Sequence, residues 1–158
     1  MSCNLSCRVN NAKIASLMSQ NTSEAVVRYI GDDYFLGTTP SGLPQLMDSK
    51  GDRHAAPTPI ELLLVAVAGC TAIDVQSILA KKRQNVTSYD VRISGTRAEE
   101  HPRKFTAFHI THIVRGRGIS AKAVEDAIRL SDETYCSVAA TVKPTATITT
   151  AYEIVEID

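Results

Sequence analysis

The order of apolar and polar positions divides the chain into a polar start and a series of short elements. Residues 1–23 are rich in Asn and Ser and show no sustained hydrophobic period, so we expect a flexible tail before a domain at 24–158. The segments EAVVRYIG, YFLGTTP and LPQLMDS carry β-branched and aromatic residues, and Gly-Asp-Asp and Pro-Ser-Gly turn signals separate them. This pattern predicts a meander of three strands, followed by a polar loop at 49–56.

A long helix is predicted to follow the polar loop. Thr58 is its expected N-cap, Pro59 suits the first helical position, and Glu61 completes a T-x-x-E capping box. The apolar run after Glu61 leaves no polar face, which indicates that the first half of the helix is buried on nearly all sides. The helix is expected to run to about Gln84. The uncharged stretch at 62–73 is shorter than the roughly 20 residues that cross a bilayer, so we interpret the segment as a core helix.

The rest of the chain predicts two strands, a second helix and a final strand. VTSYDVRISGT and FTAFHITHIV alternate in polarity and flank the hairpin linker AEEHPRK, and TATITTAYEIVEI repeats the alternation near the C-terminus. Between them Ser120 opens a helix with Val124, Ile128, Ser131 and Tyr135 on one face. The predicted order is β-β-β-α-β-β-α-β, which is an α+β fold.

Composition narrows the possible partners. The 17 basic and 17 acidic residues cancel, so no net field favours nucleic acid or an anionic membrane as a partner. No secretory signal opens the chain, and we expect a cytoplasmic protein. Four cysteines are too few for a disulfide scaffold in a chain of this length, and thiols in a reducing compartment often serve metal binding or redox chemistry.

Two of these cysteines fall on the predicted helices. Cys70 lies in the middle of the long helix, and Cys136 lies at the end of the second one. Gly69 costs about 1 kcal/mol in a helix interior, which indicates that a backbone or a ligand approaches closely there. Cys70 alone also fits an ordinary small core residue. If the two sulfurs meet, a thiolate can attack a peroxide, form a sulfenic acid and condense with the second thiol to a disulfide.

A reactive thiolate also needs a stabilising cation, because burial among apolar residues raises the pKa of a thiol. No basic residue lies near Cys70 in the sequence, so Arg28 on the first strand and Arg53 in the polar loop are the candidates. Asp74, one turn after Cys70, would disfavour the thiolate unless it bonds elsewhere.

PTPIELLLVAVAGCTAIDVQSILAKKRQ and the downstream ETYCSVAATV resemble the OsmC/Ohr family, most closely its YhfA-like branch, over 24–158. The resemblance implies an intertwined homodimer with a long buried central helix, with sites at the subunit interface. It also implies that Cys70 is the peroxidatic cysteine and Cys136 the resolving one, and that the arginine comes from the N-terminal strands, where Arg28 is nearest.

One position departs from the family pattern. Well-studied hydroperoxide reductases of this family carry a glutamate ten residues before the first cysteine, where this chain has Ile60. Glu61 is the nearby carboxylate, and on a straight helix it lies on the opposite face from Cys70, about 13 Å along the axis. Glu61 can orient an arginine, but the capping box already accounts for it.

The resemblance predicts a thiol-dependent peroxidase that reduces organic hydroperoxides, with hydrogen peroxide as a second candidate substrate, in oxidative-stress defence. An external dithiol, such as a lipoyl protein or a thioredoxin-like partner, would restore the thiols without a bound cofactor. The alternative is a binding or redox-sensing protein on the same fold, and a third reading has inert core cysteines. No metal is expected, because Cys3 and Cys7 lack a second ligand pair and His109 and His112 lie on opposite faces of a strand.

Overall fold

The computed structural model describes residues 22–157. Cys3, Cys7 and nearly all of the expected tail at 1–23 lie outside them. The chain divides into two compact units, the first ending at Thr58 and the second beginning at Pro59.

The first unit contains the predicted meander. Strands β1 (Val26–Gly31), β2 (Tyr34–Thr38) and β3 (Pro44–Asp48) pair antiparallel in sequence order. The turn between β1 and β2 takes positive φ at Gly31, Asp32 and Asp33, a conformation that Gly and Asp adopt more readily than most residues. A short 3-10 helix at Gly51–Arg53 occupies the polar loop.

The second unit is a three-stranded sheet with helices. Its elements are α1 (Pro59–Lys81), β4 (Asn85–Arg97), β5 (Phe105–Arg117), α2 (Ala121–Leu130), a π-helical turn (Ser131–Tyr135), α3 (Ser137–Val142) and β6 (Thr147–Glu156). The hairpin β4–β5 is antiparallel, and β6 runs parallel to β5 because the helical segment carries the chain back along the sheet. The predicted α+β class and the β-β-β-α-β-β-α-β order of strands and major helices are confirmed.

Helix α1 begins at Pro59 as predicted and ends three residues earlier than Gln84. Arg83 takes a positive φ of 55°. Its N–H donates to Ala80 O, and the Gln84 N–H donates to Leu79 O. These bonds form a Schellman motif, which closes the helix with a left-handed residue that is usually glycine.

The prediction that α1 is buried on nearly all sides is wrong for a single chain. Five residues of α1 are buried (Val67, Thr71, Val75, Ile78, Leu79), whereas Val65 is 65% exposed and Ile73 is 73% exposed. Among the described residues α1 alone is long and apolar enough to cross a membrane, a test that core helices of soluble proteins also pass. The buried face of α1 nevertheless carries the core.

Two apolar clusters meet along that face. In one, Val75, Ile78 and Leu79 of α1 pack with Val114 of β5 and with the apolar face of α2 (Ala123, Val124, Ala127, Ile128). In the other, Val67 packs with residues of β5 and the segment before β6 (Phe105, Phe108, Ile110, Ala146). Cys70 lies between Val67 and Val75 along α1, and therefore between the parts of the helix that enter the two clusters.

The segment after α2 differs from the prediction. The helical face was expected to continue to Tyr135, but Tyr135 is 59% exposed because a π turn replaces the last α-helical turn. A π turn has i→i+5 hydrogen bonds, so it shifts the face by one residue. Asp132 pairs with Lys143 and Glu133 with Arg129, which compensates these acidic residues at a helix C-terminus. Helix α3 directly follows the π turn, in a segment that was expected to lead into the last strand.

His112 on β5 makes the stability of the fold depend on pH. Its side chain is fully buried, Tyr89 Oη lies 2.6 Å from Nδ1, and Nε2 has no hydrogen-bond partner among the described residues. Burial lowers the pKa of His112 to about 4. Between pH 6.5 and about pH 4, His112 is protonated in the unfolded chain but stays neutral in the folded chain. The free energy of unfolding therefore falls as the pH falls, by up to about 3 kcal/mol.

Urea unfolding at pH 7, 5.5 and 4.5 tests this. His112→Asn keeps an acceptor for Tyr89 but does not titrate, so its stability should fall less with acid than that of the wild type. The matched control is His109→Asn, because His109 lies on the opposite face of β5, is exposed and contacts Thr149. An unchanged pH slope in His112→Asn would contradict the assignment.

Candidate active site

The fold brings the two helix cysteines together. Cys70 Sγ on α1, Cys136 Sγ after the π turn and a carboxylate oxygen of Asp74 all lie within 4.8 Å of one another. Cys136 is buried and Cys70 is half-buried, and both thiols are free. The structure thus gives the sulfurs the proximity that disulfide chemistry requires, while their catalytic roles stay predictions.

Local backbone geometry explains why Cys136 reaches this position. Its N–H donates to Ser131 O at 2.9 Å, which is the i→i+5 bond of the π turn. Cys136 then acts as the N-cap of α3, and its Sγ accepts a hydrogen bond from the Ala139 N–H at 3.3 Å. The backbone on both sides of Cys136 is therefore fixed, and the sulfur cannot move far from α1.

A polar network missed by the sequence analysis connects α1 to the π turn. Ser131 Oγ donates to Asp74 Oδ2 at 3.0 Å and lies 3.2 Å from Thr71 Oγ1. Ser131 and Thr71 are buried. The expectation that Asp74 bonds elsewhere is met by Ser131, yet the carboxylate stays beside both sulfurs. The available signal was a pair of polar residues, Thr71 and Asp74, that follow Cys70 after a long apolar run.

The surroundings of Cys136 keep it protonated. Burial, followed by the hydrogen bond with Cys70, raises the pKa of the Cys136 thiol to about 11, and the nearby charges of Cys70 and Asp74 act in the same direction. The Ala139 N–H opposes them and lowers the pKa. A thiol that is protonated at neutral pH is a poor attacking group. The more exposed Cys70 is thus the better placed of the two to meet a substrate.

A cavity of about 250 Å³ borders the cluster at Asp74, and neither Cys70 nor Cys136 lines it. Asp74 lies in its wall, and its other lining residues come from α1, the end of α2 and the π turn (Ser77, Ile78, Lys81, Leu130, Tyr135). Two of the lining side chains, Ile78 and Leu130, are apolar, and the others carry polar or charged groups.

The two candidate arginines lie in the first unit and differ in their contacts. Arg53 donates from Nε and Nη2 to the carboxylate of Asp48 at 3.1 and 2.6 Å, contacts Asp32 through a side-chain oxygen and the backbone carbonyl, and stacks on Tyr34. Four of its five N–H donors are thereby used, and the Arg53 hydrogen bond holds the pKa of Asp48 below its usual value.

Arg28 is exposed on β1, opposite Leu36 of β2. Within residues 22–157 it makes no salt bridge, whereas Arg53 is fixed by its own loop. Glu61 is exposed in the first turn of α1, where its charge complements the positive helix end. The structure does not bring Glu61 into the cysteine cluster.

The fold and the paired cysteines together define a family. The sequence model described as OsmC-like protein matches residues 50–151. The chain belongs to this OsmC-like family.

Similarity to individual proteins agrees with this. The chain is 44% identical over 133 residues to Protein YhfA of Escherichia coli (strain K12), covering 84% of this chain and 98% of YhfA. A protein of Aquifex aeolicus VF5 described as hypothetical superimposes with a TM-score of 0.77 at 32% identity, over 87% of this chain and 98% of that one. The organic hydroperoxide resistance protein OhrB of Bacillus subtilis shares the fold, with a TM-score of 0.57 at 12% identity over 85% and 100% of the chains.

Proposed function

We propose that this protein is a thiol-dependent peroxidase in which Cys70 reduces a hydroperoxide and Cys136 resolves the product. The observation that carries the proposal is the approach of the two sulfurs to within 4.8 Å from elements 66 residues apart in the sequence. Proteins named for organic hydroperoxide resistance share the fold, among them OhrB, which supports peroxide as the oxidant.

The proposed cycle has three steps. The Cys70 thiolate attacks the terminal peroxide oxygen, the O–O bond breaks, and the alkoxide leaves with a proton as the alcohol, which leaves Cys70 as a sulfenic acid. Oxidation removes the Cys70 thiol and its charge, which help to raise the pKa of Cys136 in the reduced protein. Cys136 then attacks the sulfenic sulfur, and its proton leaves with the hydroxyl group as water while the disulfide forms. An external dithiol reduces the disulfide through a mixed disulfide and is itself oxidised. The proposed entry for an organic hydroperoxide is the cavity with Asp74 in its wall, because Asp74 lies one helical turn from Cys70.

An arginine is expected to stabilise the Cys70 thiolate, because Asp74 places a negative charge beside the sulfur. We assign this role to Arg28, with Arg53 as the second candidate. Four of the Arg53 donors already bond to Asp48 and Asp32, so freeing it would break a structural ion pair. Glu61 keeps the proposed role of orienting the arginine. The family glutamate position is occupied by Ile60, which has no carboxylate. Near the start of α1 only Glu61 can supply one.

The exposed face of α1 supports a homodimer as the working form. Val65, Gly69 and Ile73 follow one another at four-residue intervals and therefore share one face. Among the described residues nothing lies within 4 Å of a Cβ built on Gly69, so the close approach expected there would come from a second copy or a ligand. Sedimentation equilibrium should give twice the 17.1 kDa chain mass, and the chain mass for Ile73→Glu. A monomeric wild type would refute the dimer.

Peroxide titration of the reduced protein tests the proposal. With one equivalent of cumene hydroperoxide we expect a disulfide between Cys70 and Cys136, identified by mass spectrometry of peptides, and with excess dithiol we expect many turnovers at neutral pH. A protein that forms the disulfide but does not turn over would instead be a redox sensor. This alternative agrees with Ile60 at the position of the family glutamate. Thiols that react only after unfolding would refute both functions.

A further inference from the structure

We propose that the reduced cluster of Cys70, Asp74 and Cys136 is also a binding site for a thiophilic divalent cation of the zinc class. The cluster combines two sulfur donors and one carboxylate oxygen, all mutually within 4.8 Å. This donor set favours zinc over magnesium or calcium, since thiolates bind soft and borderline cations and the hard cations select oxygen ligands.

The spacing of the donors is close to that of a tetrahedral site. Zinc–sulfur bonds of about 2.3 Å and zinc–oxygen bonds of about 2.0–2.2 Å place neighbouring donors about 3.5–3.8 Å apart. Relative to the upper limit of 4.8 Å in the structure, each pair of donors would have to close by at most about 1.0–1.3 Å. Asp74 and Cys70 lie one helical turn apart on α1, so both can turn toward a common point.

Two of the proposed metal ligands already accept hydrogen bonds from neighbouring protein groups. Ser131 Oγ donates to Asp74 Oδ2 and fixes the carboxylate, while the Ala139 N–H donates to Cys136 Sγ. Such outer hydrogen bonds orient ligands and stabilise the negative charge on a metal-bound sulfur. Ser131 is buried against Thr71, so it cannot readily turn away from Asp74.

The cluster has a route of access at Asp74 and an open coordination position. The cavity of about 250 Å³ reaches Asp74, and three protein ligands leave a fourth position for water, as in open zinc sites. Metal binding uses the sulfur electron pairs that attack peroxide, and a disulfide offers no thiolate ligand. Zinc and oxidation are thus mutually exclusive at this cluster, so zinc would protect the thiols and inhibit their oxidation.

Zinc affinity is to be measured by competition with a chromophoric chelator, using the full-length reduced chain carrying Cys3→Ser and Cys7→Ser. We expect one equivalent to bind, and the same protein with Co²⁺ should show a thiolate charge-transfer band. Cys70→Ser, Cys136→Ser and the disulfide form should lose the band. Asp74→Asn should weaken binding, and Ser131→Ala should weaken it by about 10–100-fold. Asp90→Asn is the control, because Asp90 is an exposed carboxylate on β4 that pairs with Arg115.

The result separates this site from the peroxidase. Zinc bound with equal affinity by Asp74→Asn and the background protein, or no stoichiometric binding, would overturn the metal site while leaving peroxide turnover by the zinc-free protein intact. Binding that depends on Cys70 and Asp74 in a protein that consumes no peroxide would sustain the metal site and refute the peroxidase. Circular dichroism of each variant identifies any loss of zinc binding caused by misfolding. Asp74→Asn removes no sulfur, so its zinc affinity decides whether the carboxylate is a ligand.

Discussion

Cys70→Ser is expected to reduce peroxide consumption at least about 1000-fold, to the rate of the dithiol alone, because a serine hydroxyl is not ionised at neutral pH and attacks an O–O bond far more slowly than a thiolate. The loss should be complete, since the burial and the Asp74 charge that raise the pKa of the Cys136 thiol both remain in the variant. Cys136 therefore cannot replace Cys70 as the attacking group. The measurement is the rate of peroxide loss with dithiothreitol present.

The matched control carries Cys3→Ser and Cys7→Ser and keeps both cluster cysteines. Its turnover should equal that of the wild type. Equal turnover by Cys70→Ser and the wild type would show that the chemistry belongs to another residue, and equal loss in the control would move the reactive thiol to the N-terminal segment.

The start of α1 shows how much of the fold is encoded locally. A cap, a proline and a glutamate within four residues predict a helix start, and the helix begins at Pro59. The Gly-Asp-Asp turn between β1 and β2 is likewise a matter of neighbouring residues, since Gly and Asp tolerate positive φ. Signals of this kind depend only on neighbouring residues, so these two features could be predicted from the sequence alone.

The π turn shows where local reasoning fails. Apolar periodicity predicted one helical face through Tyr135, because a 3.6-residue period is the default. The structure inserts an i→i+5 bond between Cys136 and Ser131, and Ser131 contacts Asp74 and Thr71 about 60 residues earlier in the chain. Contacts between distant segments determine which hydrogen bond forms, and one sequence does not reveal them.

The candidate site divides in the same way. Redox chemistry could be inferred from the cysteines themselves, and the family resemblance suggested that Cys70 and Cys136 act together. Their proximity arises from the packing of α1 against the segment after α2. The four-residue spacing already placed Asp74 near Cys70, whereas the approach of Asp74 to Cys136 depends on that packing and was not predicted. The assignment of an arginine to Cys70 stays a prediction, because Arg28 and Arg53 belong to the first unit.

Cys136→Ser is expected to leave the first equivalent of peroxide reacting at close to the wild-type rate and then to stop efficient turnover. The fold should survive, because serine is a better N-cap than cysteine and its oxygen can accept the same Ala139 N–H bond. Without a resolving thiol, the Cys70 sulfenic acid persists, and excess peroxide should convert it to sulfinic and sulfonic acids. Intact-protein mass spectrometry after stepwise additions of peroxide follows both events.

The wild type is the comparison, since its disulfide should protect Cys70 from further oxidation. Over-oxidation should then require many more equivalents of peroxide in the wild type than in Cys136→Ser. Sustained turnover by the variant at low dithiol concentration, without sulfinic acid at Cys70, would mean that reductant reaches the sulfenic acid directly. Cys136 would in that case serve packing and the cap of α3, and the approach of the two sulfurs would have no part in the reaction.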